Sequence, residues 1–395
     1  MAKQTVRDID WSGKRALVRV DFNVPFERDS YRISDDIRIR EAVPTINHLR
    51  QAGASLVLCT HLGRPGGKAS AELELGPIAE RLAHLLSTPV DYVHDAPGDD
   101  AKAKVAGLQP GQVLLLENVR FWEGEEANDP AFAHSLAALG DVFVNDAFGS
   151  AHRAHASTEG VAHILPGVAG LLMEKELAFL GGVLDAPKRP LAALLGGAKV
   201  SDKIKVLERL IGHADAIYVG GGMAATFLKA QGLNIGKSLL DAELVEFCAE
   251  VLKRCETTHT ALVLPTDAVI AAQLEDGVPT QVVAIDTIPD DGMILDIGPD
   301  SADAFAKQLG AMGTVLWNGP MGVFEIPPFH TGTRVVAEGL AAGTAVTVIG
   351  GGSTAEAVDS LGLVDEMTHV STGGGASLEF LEGKVLPGVA ALLDK

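Results

Sequence analysis

Short apolar runs alternate with amphipathic stretches along the whole chain, and this alternation is what most constrains the fold. The runs RALVRV (15–20), ASLVLCT (54–60) and TVLWNGP (314–320) carry apolar residues at consecutive positions rather than at every second one. Strands that are buried on both faces of a parallel sheet have this pattern. Between the runs lie stretches such as SDKIKVLERLI (201–211), whose apolar residues recur at helical spacing. The pattern therefore predicts an α/β fold with doubly wound parallel sheets.

The length of the chain and one uninterrupted helical stripe predict two domains. A chain of 395 residues is too long for one ordinary core. Pro166 and Gly167 precede a stretch with few polar interruptions, and Pro187 follows it. We therefore expect an N-terminal lobe at 1–167, an interdomain helix at 168–184 that acts as a hinge, and a C-terminal lobe from 185 onward.

Charge and composition exclude several classes of protein. The 52 acidic and 32 basic residues give a net charge of −20, which argues against nonspecific nucleic-acid binding but not against a small anionic ligand in a locally positive cleft. No apolar run has the length of a membrane span, and the N-terminus lacks the apolar core of a secretion signal. The three cysteines have no metal-binding or disulfide pattern. We expect a cytoplasmic protein with neither a membrane nor a nucleic-acid partner.

Polar and cationic side chains follow the apolar runs of the first half. Ligands of open parallel sheets bind beyond the carboxyl ends of the strands, and an arginine fork binds phosphate or carboxylate with two hydrogen bonds. Solvent-exposed surface arginines remain the alternative, and His152 with His155 lacks a third ligand for zinc. The pattern of Arg38, Arg64, Arg120 and Arg153 favours a small, multiply anionic substrate, and Asp21, Asn23 and His61 are expected at the same sheet edge.

Four glycine runs mark strand ends in the second half: LLGGAKVSDKI, YVGGGMAATF, VIGGGSTAEAV and VSTGGGASLEF. Glycine allows backbone N–H groups to approach a ligand, and the helix that follows adds its positive dipole end, so phosphate can be held without a net positive charge. No run matches the Walker A or the spaced dinucleotide pattern. Lys199 and Lys203 are expected on one helix face, and Glu325 is a candidate for binding ribose hydroxyls.

Eight segments together resemble the signatures of the phosphoglycerate kinase family, in family order from about residue 15 to residue 390. They are RVDFNVP, HLGRP, ENVRF, NDAFGSAHRAH, GGAKVSDKI, GGGMA, WNGPMGVFE and HVSTGGGASLEFLEGKVLPGV. The resemblance implies a monomeric glycolytic enzyme that transfers a phosphoryl group reversibly from 1,3-bisphosphoglycerate to ADP, giving 3-phosphoglycerate and ATP, with Mg²⁺ on the nucleotide. It also implies that the C-terminal lobe ends near 375 and that the tail, 376–395, packs on the N-terminal lobe.

The resemblance carries over to individual positions. The residues that would bind the phosphoglycerate are Asp21, Asn23, Arg38, His61, Leu62, Gly63, Arg64, Arg120 and Arg153. The residues that would bind the nucleotide are Gly197, Ala198, Lys203, Gly221, Gly222, Leu295, Asn318, Pro320, Val323, Glu325, Gly351, Gly352, Ser353 and Thr354. The groups that would stabilise the transferring phosphoryl group are Arg38, Lys199, Lys203, Gly352 and Gly375. Closure of the two lobes would bring the substrates together and exclude water.

Two positions depart from the family pattern. Ser353 stands where the family usually has an aspartate that helps to hold Mg²⁺, and Ile294 stands where a glycine near the adenine is common. Ser353 has three interpretations: it caps the helix and donates to a phosphate, it contacts Mg²⁺ weakly, or the activity is impaired. The competing hypotheses are a non-catalytic binder of an acidic metabolite, supported by Ser353 alone, and a nicotinamide dehydrogenase, which would leave the arginines unexplained.

Overall fold

The computed structural model describes residues 2–28 and 30–395 and divides into two compact units. Unit 1 comprises Met1–Ala178 together with Lys384–Lys395, and unit 2 comprises Phe179–Gly383. Each unit is built around its own parallel sheet. The α/β class and the two parallel sheets predicted from the sequence are confirmed, while the functional roles assigned to the lobes stay a prediction.

The sheet of unit 1 has six parallel strands in the order β3-β4-β2-β1-β5-β6. Four of them coincide with apolar runs of the first half, and β2, β4 and β5 are buried along their whole length, as expected for a sheet covered on both faces. The strands are β1 (Arg15–Arg19), β2 (Ser55–Cys59), β3 (Val90–Val93), β4 (Val113–Leu116), β5 (Val142–Asn145) and β6 (Gly167–Ala169).

Among the described residues before strand β6, five α-helices accompany this sheet. The start of α5 follows ordinary capping rules: Asp129 accepts a hydrogen bond from the Phe132 amide at 2.8 Å, and Pro130 occupies the first turn. The apolar faces of α1 and α2 pack on the sheet through Ile39, Ile46 and Leu82. The helices are α1 (Ile37–Gln51), α2 (Gly76–Leu86), α3 (Asp99–Gly107), α4 (Glu123–Glu126) and α5 (Pro130–Ala137).

Helix α6 (Leu171–Asp185) contains the point at which the chain passes from unit 1 to unit 2. The sequence-based start of this helix at 168 is wrong, because Gly167–Ala169 pairs with β5 as strand β6. The buried Asp146 carboxylate sets the actual start. It accepts hydrogen bonds from the amides of Leu172 (2.9 Å) and Met173 (3.2 Å), which have no partner within the first helical turn.

The main sheet of unit 2 is also six-stranded and parallel, in the order β15-β14-β13-β7-β8-β9. A separate antiparallel sheet, β11-β10-β12, was not predicted from the sequence. The strands are β7 (Leu191–Leu195), β8 (Ala216–Val219), β9 (Ala261–Val263), β10 (Asp267–Ala271), β11 (Gln281–Ala284), β12 (Met293–Ile297), β13 (Thr314–Asn318), β14 (Val346–Gly350) and β15 (His369–Val370).

Seven helices belong to unit 2, and its core gathers Trp317, Phe305 and Val336 from the sheet and two of these helices. In the described part of the chain, every helix is too short or too polar to span a lipid bilayer. The helices are α7 (Ile204–Leu210), α8 (Gly221–Ala230), α9 (Val245–Thr257), α10 (Pro299–Leu309), α11 (Thr331–Ala341), α12 (Gly352–Ser360) and α13 (Gly375–Leu381).

The last residues of the chain, Lys384–Lys395, include α14 (Pro387–Ala390) and belong to unit 1, whereas α13 belongs to unit 2. Backbone hydrogen bonds hold this segment at the edge of the unit 1 sheet: the Leu393 amide donates to Gly167 O at 2.9 Å, and the Gln4 amide donates to Leu393 O at 2.8 Å. The two ends of the chain are therefore joined in one unit.

Candidate active site

Two buried polar side chains organise the loops that follow the strands of unit 1. Asn118 Oδ1 accepts hydrogen bonds from the amides of Leu62 and Arg120, both at 3.2 Å, while its Nδ2 donates to Leu62 O at 2.8 Å. Thr60 Oγ1 accepts from the Phe22 amide at 2.9 Å. Sequence reasoning missed both residues, although each lies beside a recognised motif immediately after a buried strand.

The loop after β1 and the first turn of α1 form an ion pair. Arg38 Nη1 lies 3.0 Å from Asp21 Oδ2, and Asp21 is almost completely buried. Burial tends to raise the pKa of the Asp21 carboxyl, but the charges of Arg38 and Arg19 and the hydrogen bond from the Asn23 amide lower it below its usual value. Asp21 therefore remains ionised and holds the Arg38 guanidinium at the carboxyl end of the sheet.

Arg120 is the most buried of the predicted arginines, with 3% of its surface exposed. Its Nη1 donates to Gly63 O at 2.7 Å, and its Nε lies 3.1 Å from Glu126 Oε1. Burial, together with the positive charges of Arg153 and Arg19, lowers its pKa to about 10 against the opposing charge of Glu126. The guanidinium remains charged at neutral pH, and the positive charges of Arg19 and Arg153 act on it in addition to that of Glu126, which favours an anionic ligand nearby.

His61, at the end of β2, lies among these charges. Burial lowers the pKa of His61 well below its usual value, Asp21 opposes this, and Arg19, Arg120 and Arg153 add to the decrease. The shared electrostatics show that side chains from four strand ends meet at one edge of the sheet, as the sequence predicted. We call the group Asp21, Arg38, His61, Arg120 and Arg153 the arginine cluster.

The remaining predicted residues of unit 1 lie around this cluster. Asn23 Oδ1 accepts from the Gly63 amide at 2.9 Å, so the loops after β1 and β2 are tied together. Leu62 is buried beneath them. Arg64 is exposed in the loop after β2, and within the described residues no contact ties it to the cluster. The structure thus gathers the predicted set with the exception of the Arg64 side chain.

Glycines in unit 2 allow the loops after β7, β8 and β13 to touch through their backbones. The Gly197 amide donates to Pro320 O at 3.0 Å, and the Gly221 amide donates to Met321 O at 2.8 Å. Gly221 has φ +62°, and a Cβ at this position would lie 2.7 Å from both Gly197 N and O. A Cβ on Gly222 would lie 2.5 Å from Ala198 O. Only glycine fits at these positions. We call the backbone contacts among Gly197, Gly221, Gly222 and Pro320 the glycine junction.

The loop after β14 joins the same region. Thr354 Oγ1 accepts from the Gly319 amide at 2.6 Å, and a Cβ on Gly351 would lie 3.1 Å from Asn318 Nδ2. That buried Nδ2 has no hydrogen-bond partner within the described residues, so it is available as a donor to a ligand. Gly351 is the N-cap of α12 and no side chain caps this helix, so the capping interpretation of Ser353 is wrong; Ser353 is exposed on its first turn.

The two lysines differ from the expected arrangement. Lys199 is exposed in the loop after β7 and does not lie on a helix, so the expectation that it shares a helix face with Lys203 is wrong. Lys203 closes a short 3₁₀ turn, Ser201–Lys203, and its Nζ lies 3.9 Å from the position of a Cβ on Gly197. Burial lowers the pKa of Lys203, and Asp202 opposes that decrease. Lys203 thus directs a partly desolvated ammonium toward the glycine junction.

An apolar cluster contains residues from β12 and from the loop after β13. Leu295 and Val323 share a cluster with Phe329, and the Val323 amide donates to Leu295 O at 2.9 Å. Ile294 packs against a different cluster, containing Leu228, because neighbouring strand residues face opposite sides of a sheet. Isoleucine in place of the usual glycine at position 294 therefore adds packing on the face of β12 opposite to that of Leu295.

Two further predicted residues lie on exposed turns. Glu325 is exposed in the loop after β13, and Gly375 is the exposed first residue of α13. The N-cap residue of α13, Gly374, has φ +52°, a conformation that favours glycine, so the orientation of the amides in this turn depends on a glycine at this position.

Comparison with known proteins places the chain in one family. A family model described as phosphoglycerate kinase matches residues 6–384. Phosphoglycerate kinases from Herpetosiphon aurantiacus and Chloroflexus aurantiacus are 54% and 55% identical, each over 100% of both chains. Solved phosphoglycerate kinases from Coxiella burnetii and Pyrococcus horikoshii superpose with TM-scores of 0.90 and 0.86 at 41% and 32% identity, each covering 98% of both chains.

One parallel-sheet unit with a cationic strand edge and a second with glycine-lined strand ends are typical of an α/β phosphotransferase. Matches at this identity over the full length make the assignment specific. The chain belongs to the phosphoglycerate kinase family.

Proposed function

We propose that the chain catalyses reversible phosphoryl transfer from 1,3-bisphosphoglycerate to ADP, giving 3-phosphoglycerate and ATP, as a step of glycolysis. The observation that carries the proposal is the arginine cluster of unit 1. Three guanidinium groups and a buried histidine meet at one sheet edge, where Asp21 pairs with Arg38 and Glu126 pairs with Arg120. This excess of positive charge suits a three-carbon acid that carries phosphate, rather than a neutral or singly charged metabolite.

Unit 1 would bind the phosphoglycerate. Arg38, Arg120 and Arg153 supply charge, with the exposed Arg64 completing the set, and His61 and Asn23 supply directional hydrogen bonds. The backbone of Leu62 and Gly63 is held in place by Asn118 and Asn23. Because this backbone is fixed by hydrogen bonds before the ligand arrives, binding does not have to order it.

Unit 2 would bind ADP or ATP. The glycine junction offers backbone amides to the phosphates, Lys203 adds charge, and Asn318 Nδ2 is an unused donor. Leu295 and Val323 offer an apolar surface to the base, and Glu325 would accept from the ribose. The remaining contacts would come from Gly197, Ala198, Gly221, Gly222, Pro320, Gly351, Gly352, Ser353 and Thr354.

Phosphoryl transfer needs positioning and charge stabilisation rather than a protein nucleophile. The groups assigned to the charge of the transferring phosphoryl group are the side chains of Arg38, Lys199 and Lys203 and the amides of Gly352 and Gly375. Donors of this kind contribute on the order of 3–4 kcal/mol each when they act mainly on the transition state.

The residues of the α12 turn fit Mg²⁺ only as a metal that arrives on the nucleotide. Within residues 2–28 and 30–395, no group of three or more His, Cys, Asp or Glu side chains is placed to hold an ion. Ser353 offers one exposed hydroxyl oxygen, a hard but neutral ligand, and Mg²⁺ commonly relies on substrate phosphates and water. When bound, the ion would neutralise phosphate charge.

A monomer in the cytoplasm is the expected state of the enzyme. The three free cysteines are all buried, which is compatible with a reducing compartment. Sedimentation at micromolar concentration would test the monomer, and a concentration-dependent shift toward twice the chain mass would contradict it.

One coupled assay tests the reaction. The purified chain is given 1,3-bisphosphoglycerate and ADP, with and without Mg²⁺, and ATP is measured by luciferase. ATP formation that depends on both substrates supports the proposal. Binding of 3-phosphoglycerate without any ATP would select the non-catalytic binder instead, and nicotinamide-dependent oxidation of a hydroxy acid would select a dehydrogenase.

A further inference from the structure

A chain of buried polar groups lies behind His61 and connects it to a carboxylate. Arg19 Nη2 lies 3.1 Å from His61 Nδ1, and Arg19 Nε donates to Ser157 Oγ at 2.8 Å. Ser157 Oγ lies 2.6 Å from Glu125 Oε1, and the Ser157 amide donates to Glu125 Oε2 at 2.9 Å. The exposed fractions are 4% for His61, 1% for Arg19 and 0% for both Ser157 and Glu125.

The chemistry of the donors fixes the direction of every hydrogen bond in this chain. A guanidinium can only donate, so Ser157 Oγ must accept a hydrogen bond from Arg19 and, through its own hydroxyl hydrogen, donate one to Glu125. By the same rule, His61 Nδ1 must accept from Arg19 Nη2. A neutral imidazole that accepts at Nδ1 carries its hydrogen on Nε2.

The alternative is a protonated His61 ring, and the charges around His61 disfavour it. Protonation would direct an Nδ1–H at an Arg19 N–H, with one cation facing another. The charged groups that face the ring are Arg19 from β1, Asp21 from the loop after β1, Arg120 after β4 and Arg153 after β5. Three positive charges oppose one negative charge, and burial acts in the same direction as the positive charges, lowering the pKa of His61.

We infer that Arg19 is a positioning residue, anchored to Glu125 through Ser157, which holds His61 as the neutral tautomer with its hydrogen on Nε2. His61 is then fixed as a hydrogen-bond donor to an oxygen of the phosphoglycerate, and it cannot act as an acceptor at that atom. This inference rests on the proposed function for the identity of the ligand, but the tautomer itself does not depend on it.

Glu125 is the reason that Arg19 can be buried. A guanidinium in the interior is costly without a counter-charge, and Glu125 supplies one through Ser157. Burial raises the pKa of Glu125, while Arg19 and the hydrogen bonds from Ser157 lower it. Arg19 also donates to the carbonyl of Val20, which fixes its orientation along β1.

Nitrogen NMR of the full-length chain labelled at histidine tests the tautomer directly. The His61 resonance is assigned by its loss in His61→Gln. At neutral pH, we expect a protonated Nε2 and an unprotonated Nδ1 in the wild-type chain. A ring that is doubly protonated, or that carries its hydrogen on Nδ1, would overturn the inference whether or not the chain makes ATP.

Removing the guanidinium tests the positioning role. In Arg19→Met we expect His61 to exchange between tautomers and the KM for 3-phosphoglycerate to rise about tenfold, the value of one hydrogen bond, with the KM for ATP unchanged. Arg15→Met is the matched control, because Arg15 lies on the same strand but is only partly buried and is paired with Asp141. An unchanged His61 spectrum in Arg19→Met would overturn the role of Arg19.

A second variant covers the case in which the buried Glu125 charge prevents Arg19→Met from folding. Arg19→Met combined with Glu125→Gln removes both charges together, which is far less costly than leaving one unpaired. We expect this double variant to fold, to show the same mixture of His61 tautomers and to have the same raised KM for 3-phosphoglycerate. A His61 ring that keeps the Nε2 hydrogen in the double variant would contradict the inference.

Discussion

Arg38 Nη1 lies 3.0 Å from Asp21 Oδ2, and this pair joins the first turn of α1 to the loop after β1. The Asp21 side chain is 9% exposed, whereas the Arg38 side chain is 32% exposed. The carboxylate therefore holds one edge of the guanidinium, and the rest of the fork stays accessible to a ligand. The arrangement orients a cation at the sheet edge without neutralising its outer face.

Arg38→Ala should lower kcat about 10²–10³-fold, because it removes a donor that acts on the transferring charge. Steady-state assays in both directions measure the change. Arg40→Ala is the control: Arg40 lies two residues further along the same helix but is exposed and paired with Asp36. Equal turnover numbers for wild type and Arg38→Ala would remove Arg38 from the catalytic set.

Gly221→Ala should destabilise unit 2 by more than about 2 kcal/mol and weaken nucleotide binding, since the new Cβ would overlap the Gly197 backbone in addition to the strain of a positive φ. Gly232→Ala separates the two effects, because Gly232 has φ +86° but nothing within 4 Å of its Cβ position. The free energy of unfolding of the Gly232→Ala control should fall by only about 1–2 kcal/mol. Denaturant titration and ADP binding measure both, and equal losses in the two variants would contradict the close approach.

Asp146→Asn should change how stability depends on pH. Burial raises the pKa of Asp146 to about 7, above that of the unfolded chain, so the folded state holds a proton that the unfolded state releases. The wild type therefore loses stability from this group as pH rises from about 4 to about 7, by at most about 1.4 kcal/mol per pH unit. The variant has no such proton, so its free energy of unfolding should rise relative to that of wild type as pH increases from about 4 to about 7.

Asparagine is a suitable replacement, because both amide hydrogen bonds at the start of α6 go to Asp146 Oδ1, while Oδ2 has no partner within the described residues. Calorimetric melting temperatures of the two proteins, compared at acidic and mildly alkaline pH, measure the effect. A difference between them that stays constant with pH would show that Asp146 does not titrate in this range.

Ser353→Asp should strengthen the dependence of ADP binding on Mg²⁺, because a carboxylate is a better ligand for this ion than a hydroxyl. Calorimetric titration with ADP over a series of Mg²⁺ concentrations measures this without turnover. Ser360→Asp, at the far end of α12, controls for the added charge. Superimposable Mg²⁺ series for wild type and Ser353→Asp would place this position away from the metal.

Much of the architecture could be predicted from local pattern. The runs at 15–20, 54–60 and 314–320 became β1, β2 and β13, because consecutive apolar residues are stable only where both faces of a strand are covered. The positions of His61 and Arg120 after such strands were enough to predict that they meet. The antiparallel sheet β11-β10-β12 was missed because its edge strand, Gln281–Ala284, is largely exposed and lacks a strong apolar signal.

By itself the sequence determined the alternation of parallel strands with helices, the positions of its cationic and glycine-rich strand ends, and the family. These follow from patterns within a few residues, where periodicity and backbone preference act. Only the tertiary structure decided that Arg19, Ser157 and Glu125 would form one buried chain behind His61, although Arg19 and Ser157 are 138 residues apart. Strand order brings such residues together, and the low polarity of the interior then makes each of their hydrogen bonds obligatory.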